Sequence, residues 1–173
     1  MDEKLAYIWT LIKEENITVE YDNIKDLPEK LHGMYIYRED TGPLIIIDYS
    51  LLTKPREHRC TLTHETGHHF TCAKTNILYT SGSYASEIER SRDELRATKW
   101  ATDRLMPNNE VYDVIKKYNI KNPQDLAEFF DVTIEFCMSK ITYIKQELRK
   151  NGILIKGRGM FNVDIWPAIM RNK

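Results

Sequence analysis

Hydrophobic spacing along the first half of the chain predicts one helix followed by a small sheet. Residues 4–14 carry apolar side chains at helical intervals and predict an amphipathic helix. Short alternating or apolar runs at 17–21, 34–37 and 44–48 predict three strands, the last two joined by a hairpin loop at 38–43. Pro55 stands where a further helix can begin, because its missing N–H costs nothing at the first helical position.

The second half is patterned as helices. Residues 75–86 have loop composition, and a strong helix follows from about 87 to 106, where Pro107 stops it. Shorter helices are predicted at 109–118 and after Asn122, an N-cap residue that precedes a proline. A break at 131–133 leads into a last helix that ends near 150, before Asn151 and Gly152. The order of helix, small sheet and further helices predicts an α+β fold.

Length and composition favour one ordinary globular domain. The 173 residues predict a single domain with a core region at 1–107, a helical subregion at 108–150 and an unassigned tail at 151–173. A net charge of -1 gives no basic field for collecting nucleic acid. The longest apolar run, 44–47, is too short for a membrane span, and the acidic N-terminus is unlike a secretory signal. Three cysteines form no disulfide framework, so a cytosolic location is expected.

The strongest chemical signal is the segment His64-Glu65-Thr66-Gly67-His68, an H-E-x-x-H motif. Histidines four residues apart lie on one face of a helix, where both can bind one zinc ion. Glu65 can lean toward the same ion without binding it and accept a proton from the water that zinc activates. Gly67 weakens a helix by about 1 kcal/mol relative to alanine, so another element or a substrate backbone is expected to approach closely there.

A catalytic zinc ion usually needs a third protein ligand, and several residues compete for that role. Cys60 and Cys72 continue the four-residue series, but each lies about 9 Å along the helix axis from the ion, so both are expected to be small apolar core residues. Glu94 is the favoured third ligand. Ala97 and Ala101 on the same predicted helix would allow that helix to pack closely against the helix of the H-E-x-x-H motif. The remaining candidates are carboxylates: Asp48 at a strand end, and Glu87, Glu89 and Asp93 near Glu94.

Other polar residues near the motif receive weaker assignments. Candidate stabilisers of the tetrahedral oxyanion in hydrolysis are Tyr79 and Tyr84. Both lie between the H-E-x-x-H motif and the helix of Glu94. His69 points about 100° away from His68 and is assigned to the surface or to the ligands' surroundings. A ligand histidine normally donates its second ring N–H to an acceptor, and the sequence does not identify that acceptor.

Two segments of the chain resemble the ImmA/IrrE family of zinc metallopeptidases. Residues 59–70, RCTLTHETGHHF, are similar to the family's R-x-T-L-A-H-E-x-G-H segment, with Thr63 and Thr66 departing from its usual residues. Residues 94–107 are similar to its E-x-x-A-x-x-F/W-A-x-x-L-hydrophobic-P segment, and 125–132 resemble its later helical region. The resemblance covers about residues 34–150.

The resemblance implies a zincin-like fold in which the small sheet packs on the metal-binding helix. It implies one zinc ion bound by His64, His68 and Glu94, with Glu65 as general base in peptide-bond hydrolysis. Family members include proteases of mobile elements or prophages that cleave a partner helix-turn-helix repressor. The expected substrate of this chain is therefore a separate DNA-binding repressor.

Two alternative functions rest on other features. The helix, break and helix at 123–150 could form a helix-turn-helix, with charge from Lys140, Lys145, Arg149 and Lys150. Glu135 and Glu147 interrupt that charge, so support of the catalytic core is favoured over direct nucleic-acid binding. A toxin–antitoxin-like or stress-regulator component would instead retain zinc and act by binding, with little proteolysis. The intact Glu65 argues against an inactive site.

Overall fold

The structure, a computed structural model, describes residues 3–24, 26, 31–72, 84–152 and 169, with the backbone alone at 84–86. Its described part contains three strands and six α-helices, so the α+β prediction is confirmed. The elements are, in chain order, α1 (Glu3–Glu14), β1 (Thr18–Asp22), β2 (Gly33–Arg38), β3 (Gly42–Asp48), a 3-10 helix (Tyr49–Thr53), α2 (Pro55–Thr71), α3 (Tyr84–Leu105), α4 (Asn108–Tyr118), α5 (Pro123–Phe130) and α6 (Ile134–Lys150).

Most element boundaries lie within a residue or two of those predicted, and α3 is the exception. It begins at Tyr84, inside the segment 75–86 that was predicted as a loop, so its start was predicted three residues too late. The serine and glycine content of that segment set the predicted boundary. The tail from 153 onward lies outside the described residues except for Ile169.

The chain divides into two compact units, Met1–Arg104 and Leu105–Lys173. The first unit contains α1, the sheet, α2 and nearly all of α3. The second contains α4, α5 and α6. The prediction of one domain with three subregions stays a prediction.

The sheet of the first unit has β3 at its centre. β3 pairs with β2 as the predicted antiparallel hairpin and with β1 in parallel, giving the order β1-β3-β2. The side chains of Ile45 and Ile47 are fully buried, as expected for a central strand covered by helices. β2 is an edge strand of this sheet.

One hydrophobic core joins α1, α2 and the sheet. Its buried members are Ile8, Ile12, Ile17, Tyr35, Ile45, Ile47, Leu51 and Leu62. Helix α2 packs against both β2 and β3 and also contacts α1. The prediction that the small sheet packs on the helix of the H-E-x-x-H motif is therefore confirmed.

Capping residues define the helices of the second unit. The Asn122 side chain accepts a hydrogen bond from the Asp125 amide at the start of α5, as the sequence predicts. Thr133 does the same for Phe136 at the start of α6. Lys140 on α6 is fully buried, so it does not contribute to the exposed positive charge on which the helix-turn-helix alternative depends.

Over the part of the chain that the structure describes, each helix falls short of the length or the apolar character that a bilayer span requires.

A half-buried histidine away from the motif, His58, predicts a pH-dependent stability. The Tyr21 hydroxyl on β1 and His58 Nε2 on α2 are hydrogen-bonded over 2.9 Å, and the two rings stack. Burial lowers the pKa of His58 below its usual 6.5. The unfolded state therefore binds the proton more readily, and stability is lost as the pH falls below about 6.5.

We expect His58→Gln to weaken this dependence. In urea titrations of metal-free protein between pH 7 and pH 5, the parent should lose more unfolding free energy than the variant. Equal losses would mean that His58 does not contribute to the pH dependence.

Candidate metal centre

The two motif histidines lie on α2, one helical turn apart. His64 and His68 project from the same face, with their Nε2 atoms 3.1 Å apart. Their ring centroids are 4.7 Å apart and their planes are perpendicular. The facing nitrogens are close enough to share one ion, as the spacing in the sequence predicts.

Glu94 completes the group from α3. Its Oε2 lies 3.2 Å from His64 Nε2, and its Oε1 lies 3.5 Å from His68 Nε2. One ligand atom from each residue lies within 4.8 Å of the others. Ligand atoms bound at about 2.1 Å to a tetrahedral zinc ion are about 3.4 Å apart, so the donor set fits that ion. The side chains of His64 and Glu94 are 23% and 48% exposed, which leaves one side of the group open to solvent.

Small residues allow α3 to approach α2 at the metal group. Ala97 and Ala101 are fully buried. A Cβ added to Gly67 would lie 2.7 Å from the Ala97 carbonyl oxygen and 3.2 Å from its Cα. The predicted close approach at Gly67 is confirmed, and the approaching element is the backbone of α3.

Substitution of Gly67 should therefore destabilise the protein. Gly67→Ala gains about 1 kcal/mol of helix propensity, but overpacking against rigid backbone costs about 1–3 kcal/mol. We expect a net loss of up to about 2 kcal/mol in urea unfolding. Zinc binding should also weaken, because α3 must shift and Glu94 moves with it. A more stable variant with parental zinc affinity would contradict this account of the contact.

Glu65 is buried next to the two motif histidines and Glu94, against the edge strand β2. It is 6% exposed, and its carboxylate accepts a hydrogen bond from the backbone N–H of Tyr35. A Cβ on Gly33 would lie 2.8 Å from Glu65 Oε1 and Cγ, so glycine on β2 provides the space for this carboxylate. Burial raises the pKa of Glu65, although the two neighbouring histidines and the Tyr35 amide oppose the shift. A carboxylate with a raised pKa is suited to accepting a proton.

Residues 19–142 match the family model Peptidase_M78, described as the IrrE N-terminal-like domain. This match covers more than two thirds of the chain. The chain belongs to this metallopeptidase family. The resemblance seen in the sequence is thereby confirmed. No curated protein and no solved structure matches the chain.

The charges in the centre of this IrrE-like peptidase are strongly coupled. Hydrogen bonds to His64 and His68 hold the pKa of Glu94 well below its usual range. Burial disfavours a charge on His68, but hydrogen bonds to Cys72 and Glu94, together with nearby carboxylates, outweigh it and raise its pKa to about 10. Without a metal ion, His68 therefore holds a proton next to the ionised Glu94. A bound cation would replace that proton.

Each motif histidine of the IrrE-like centre has a polar partner at its second ring nitrogen. Thr98 Oγ1 on α3 lies 3.4 Å from His64 Nδ1, and Cys72 Sγ lies 3.3 Å from His68 Nδ1. The assignment of Cys72 to the apolar core was wrong, because it is half-buried and its sulfur contacts the ligand ring. Cys60 is buried, as expected. Thr98 was missed, although it stands four residues after Glu94 and so shares its helix face.

The other candidate ligands lie elsewhere. Asp48 is buried as the N-cap of the 3-10 helix, where it accepts from the amides of Ser50 and Ile24. Asp48 is therefore a capping residue and is not part of the His64, His68 and Glu94 group. Asp93 pairs with Arg96, and Glu87 and Glu89 are exposed to solvent.

The remaining assignments concern His69 and the two tyrosines. His69 lies between the hydroxyl of Tyr35 and the carboxylate of Glu15, at 3.0 Å and 3.3 Å, and is not among the grouped ligands. Neither partner is a candidate ligand, so the assignment of His69 to the surface or to the ligands' surroundings stays a prediction. Tyr79 lies outside the described residues, as does the side chain of Tyr84, so their oxyanion role stays a prediction.

Proposed function

We propose that this protein is a zinc metallopeptidase in which His64, His68 and Glu94 bind the ion and Glu65 is the general base. The observation that carries the proposal is the convergence of three ligand atoms within 4.8 Å, with the buried carboxylate of Glu65 close enough to interact with all three residues. Two imidazole nitrogens and one carboxylate oxygen are a donor set typical of catalytic zinc, which keeps one position open.

When bound, zinc would act as a Lewis acid that activates water and polarises the scissile carbonyl. Glu65 then accepts the proton of the attacking water and delivers it to the departing amide nitrogen. Its burial raises its pKa and so strengthens it as a base, while the Tyr35 amide fixes the position of the carboxylate. The same residue therefore takes up and returns one proton per cleavage.

The edge strand β2 offers a binding site for an extended peptide. Among the described residues, β2 pairs with β3 alone. The Tyr35 N–H points to Glu65, so the outer edge of β2 faces the general base. An extended segment that adds to this edge would run past the metal group, with backbone hydrogen bonds supplying affinity.

We further propose that the substrate is a separate helix-turn-helix transcriptional repressor of a mobile element or prophage. Support for this comes from the family, some of whose members cleave such repressors. The test is to search the neighbouring genes for a helix-turn-helix protein, to incubate that protein with the zinc-loaded enzyme and to analyse the products by mass spectrometry. We expect one discrete cut that a zinc chelator prevents. A repressor that stays intact with the zinc-loaded protein would overturn the substrate assignment.

A further inference from the structure

Two side chains lie directly behind the ligand imidazoles, on the side away from the carboxylate of Glu94. Thr98 Oγ1 is 3.4 Å from Nδ1 of His64, and Cys72 Sγ is 3.3 Å from Nδ1 of His68. In both rings the other nitrogen, Nε2, faces the Glu94 carboxylate. In each imidazole, Nε2 thus faces the candidate metal position and Nδ1 faces the threonine or cysteine partner.

With an ion bound at Nε2, the proton of each neutral ring lies on Nδ1, next to the threonine oxygen or the cysteine sulfur. A neutral imidazole has one N–H donor and one lone pair. When Nδ1–H donates to the threonine oxygen or to the cysteine sulfur, the lone pair remains on Nε2 and points at the ion. Such a partner also prevents rotation of the ring and increases the basicity of the ligand.

Both partners are held in place by the helices that supply the ligands. Thr98 stands four residues after Glu94, so both lie on one face of α3. That face provides the proposed ligand Glu94 and the hydrogen-bond partner of His64. Cys72 caps the C-terminus of α2, and its backbone N–H donates to the His68 carbonyl over 3.0 Å. The sulfur is therefore anchored beside the ring of the same residue.

We propose that Thr98 and Cys72 are positioning residues that set the tautomer and orientation of His64 and His68, and that zinc affinity depends on both. The inference rests on the proposed zinc ligation. It also excludes Cys72 as a ligand, because its sulfur lies at Nδ1, on the opposite side of the ring from the nitrogen that faces Glu94.

The test compares substitutions that remove each acceptor with substitutions that keep it. Zinc dissociation constants of the full chain are measured by competition with a chromophoric chelator. Thr98→Val and Cys72→Ala should each weaken zinc binding by about 10–100-fold. Thr98→Ser and Cys72→Ser, which keep an oxygen acceptor, should bind within a few-fold of the parent.

Matched controls come from the same helices. Thr102→Val removes a buried hydroxyl on α3 that bonds to the Lys99 carbonyl. Cys60→Ala removes a buried thiol on α2. Both should keep parental affinity. Cobalt substituted for zinc should give an absorption spectrum without a thiolate charge-transfer band, and its visible bands should shift in Thr98→Val and Cys72→Ala.

Three results would overturn the inference: parental affinity in Thr98→Val and Cys72→Ala, equal weakening in the serine variants, or a thiolate band in the parent. Failure of the underlying proposal is seen separately. If the parent fails to bind zinc, or binds it equally well after Glu94→Gln, the ligand assignment itself is wrong.

Discussion

Replacement of Glu65 by glutamine should leave zinc bound and abolish proteolysis. Glutamine keeps the shape of the side chain and can still accept the Tyr35 hydrogen bond, but its amide cannot take up a proton from water. General bases contribute about 10²–10⁴-fold to the rates of such reactions, so cleavage should fall by at least about 100-fold. The measurements are the initial rate of repressor cleavage and the zinc content of the same sample.

Glu57→Gln is the matched control for this variant, since Glu57 is an exposed glutamate on the same helix. It should cleave at the parental rate. If Glu65→Gln cleaves as fast as Glu57→Gln, the proposed proton transfer is wrong. If Glu65→Gln loses its zinc, the residue has a structural role at the ion that the proposal does not include.

Replacement of Glu94 by glutamine should release the metal ion. The substitution removes the negative charge that compensates the cation and leaves two neutral imidazoles as ligands. Zinc affinity should fall by more than the 10–100-fold that loss of an outer hydrogen-bond partner costs. Titration against a chelator measures this loss, and activity should fall in parallel at limiting zinc.

Two neighbouring carboxylates serve as controls for Glu94. Glu89→Gln changes an exposed glutamate of α3, and Asp93→Asn removes the partner of Arg96. Both should retain parental zinc affinity. If zinc affinity falls strongly in Asp93→Asn and little in Glu94→Gln, the third ligand is Asp93 and not Glu94.

The metal group was largely predictable because its geometry is local. A four-residue spacing on one helix places His64 and His68 together, whatever surrounds that helix. Glu94 required more, because it lies on another helix. The small residues Ala97 and Ala101 indicated that the two helices pack closely, and the family resemblance selected this carboxylate among its neighbours.

The surroundings of the general base were not predictable from the sequence. The contacts of Gly33 and Tyr35 with Glu65 depend on β2 being the edge strand against which α2 packs. That order follows from the parallel pairing of β1 with β3, which joins residues 26 positions apart, Thr18 with Leu44. Local hydrophobic patterns carry no information on such pairing.

Cys72 was misassigned for a different reason. Its spacing of four residues from His68 is visible in the sequence, and distance along the helix argues against ligation of the ion. The same spacing also places the sulfur beside the imidazole itself, where it contacts the nitrogen that faces away from the ion. The four-residue spacing therefore predicts a contact between Cys72 and the His68 ring, even though it does not predict binding of the ion by the sulfur.

The contact between Gly67 and Ala97 brings together two helices that are separated in the chain by residues 72–83. Under the proposed ligation, an ion bound there acts as a cross-link between distant segments, and its capture and the folding of the first unit become one equilibrium. Free zinc at a thousand times its dissociation constant would add about 4 kcal/mol to the stability of the fold. Scarcity of zinc would then limit the lifetime of the enzyme as well as its rate.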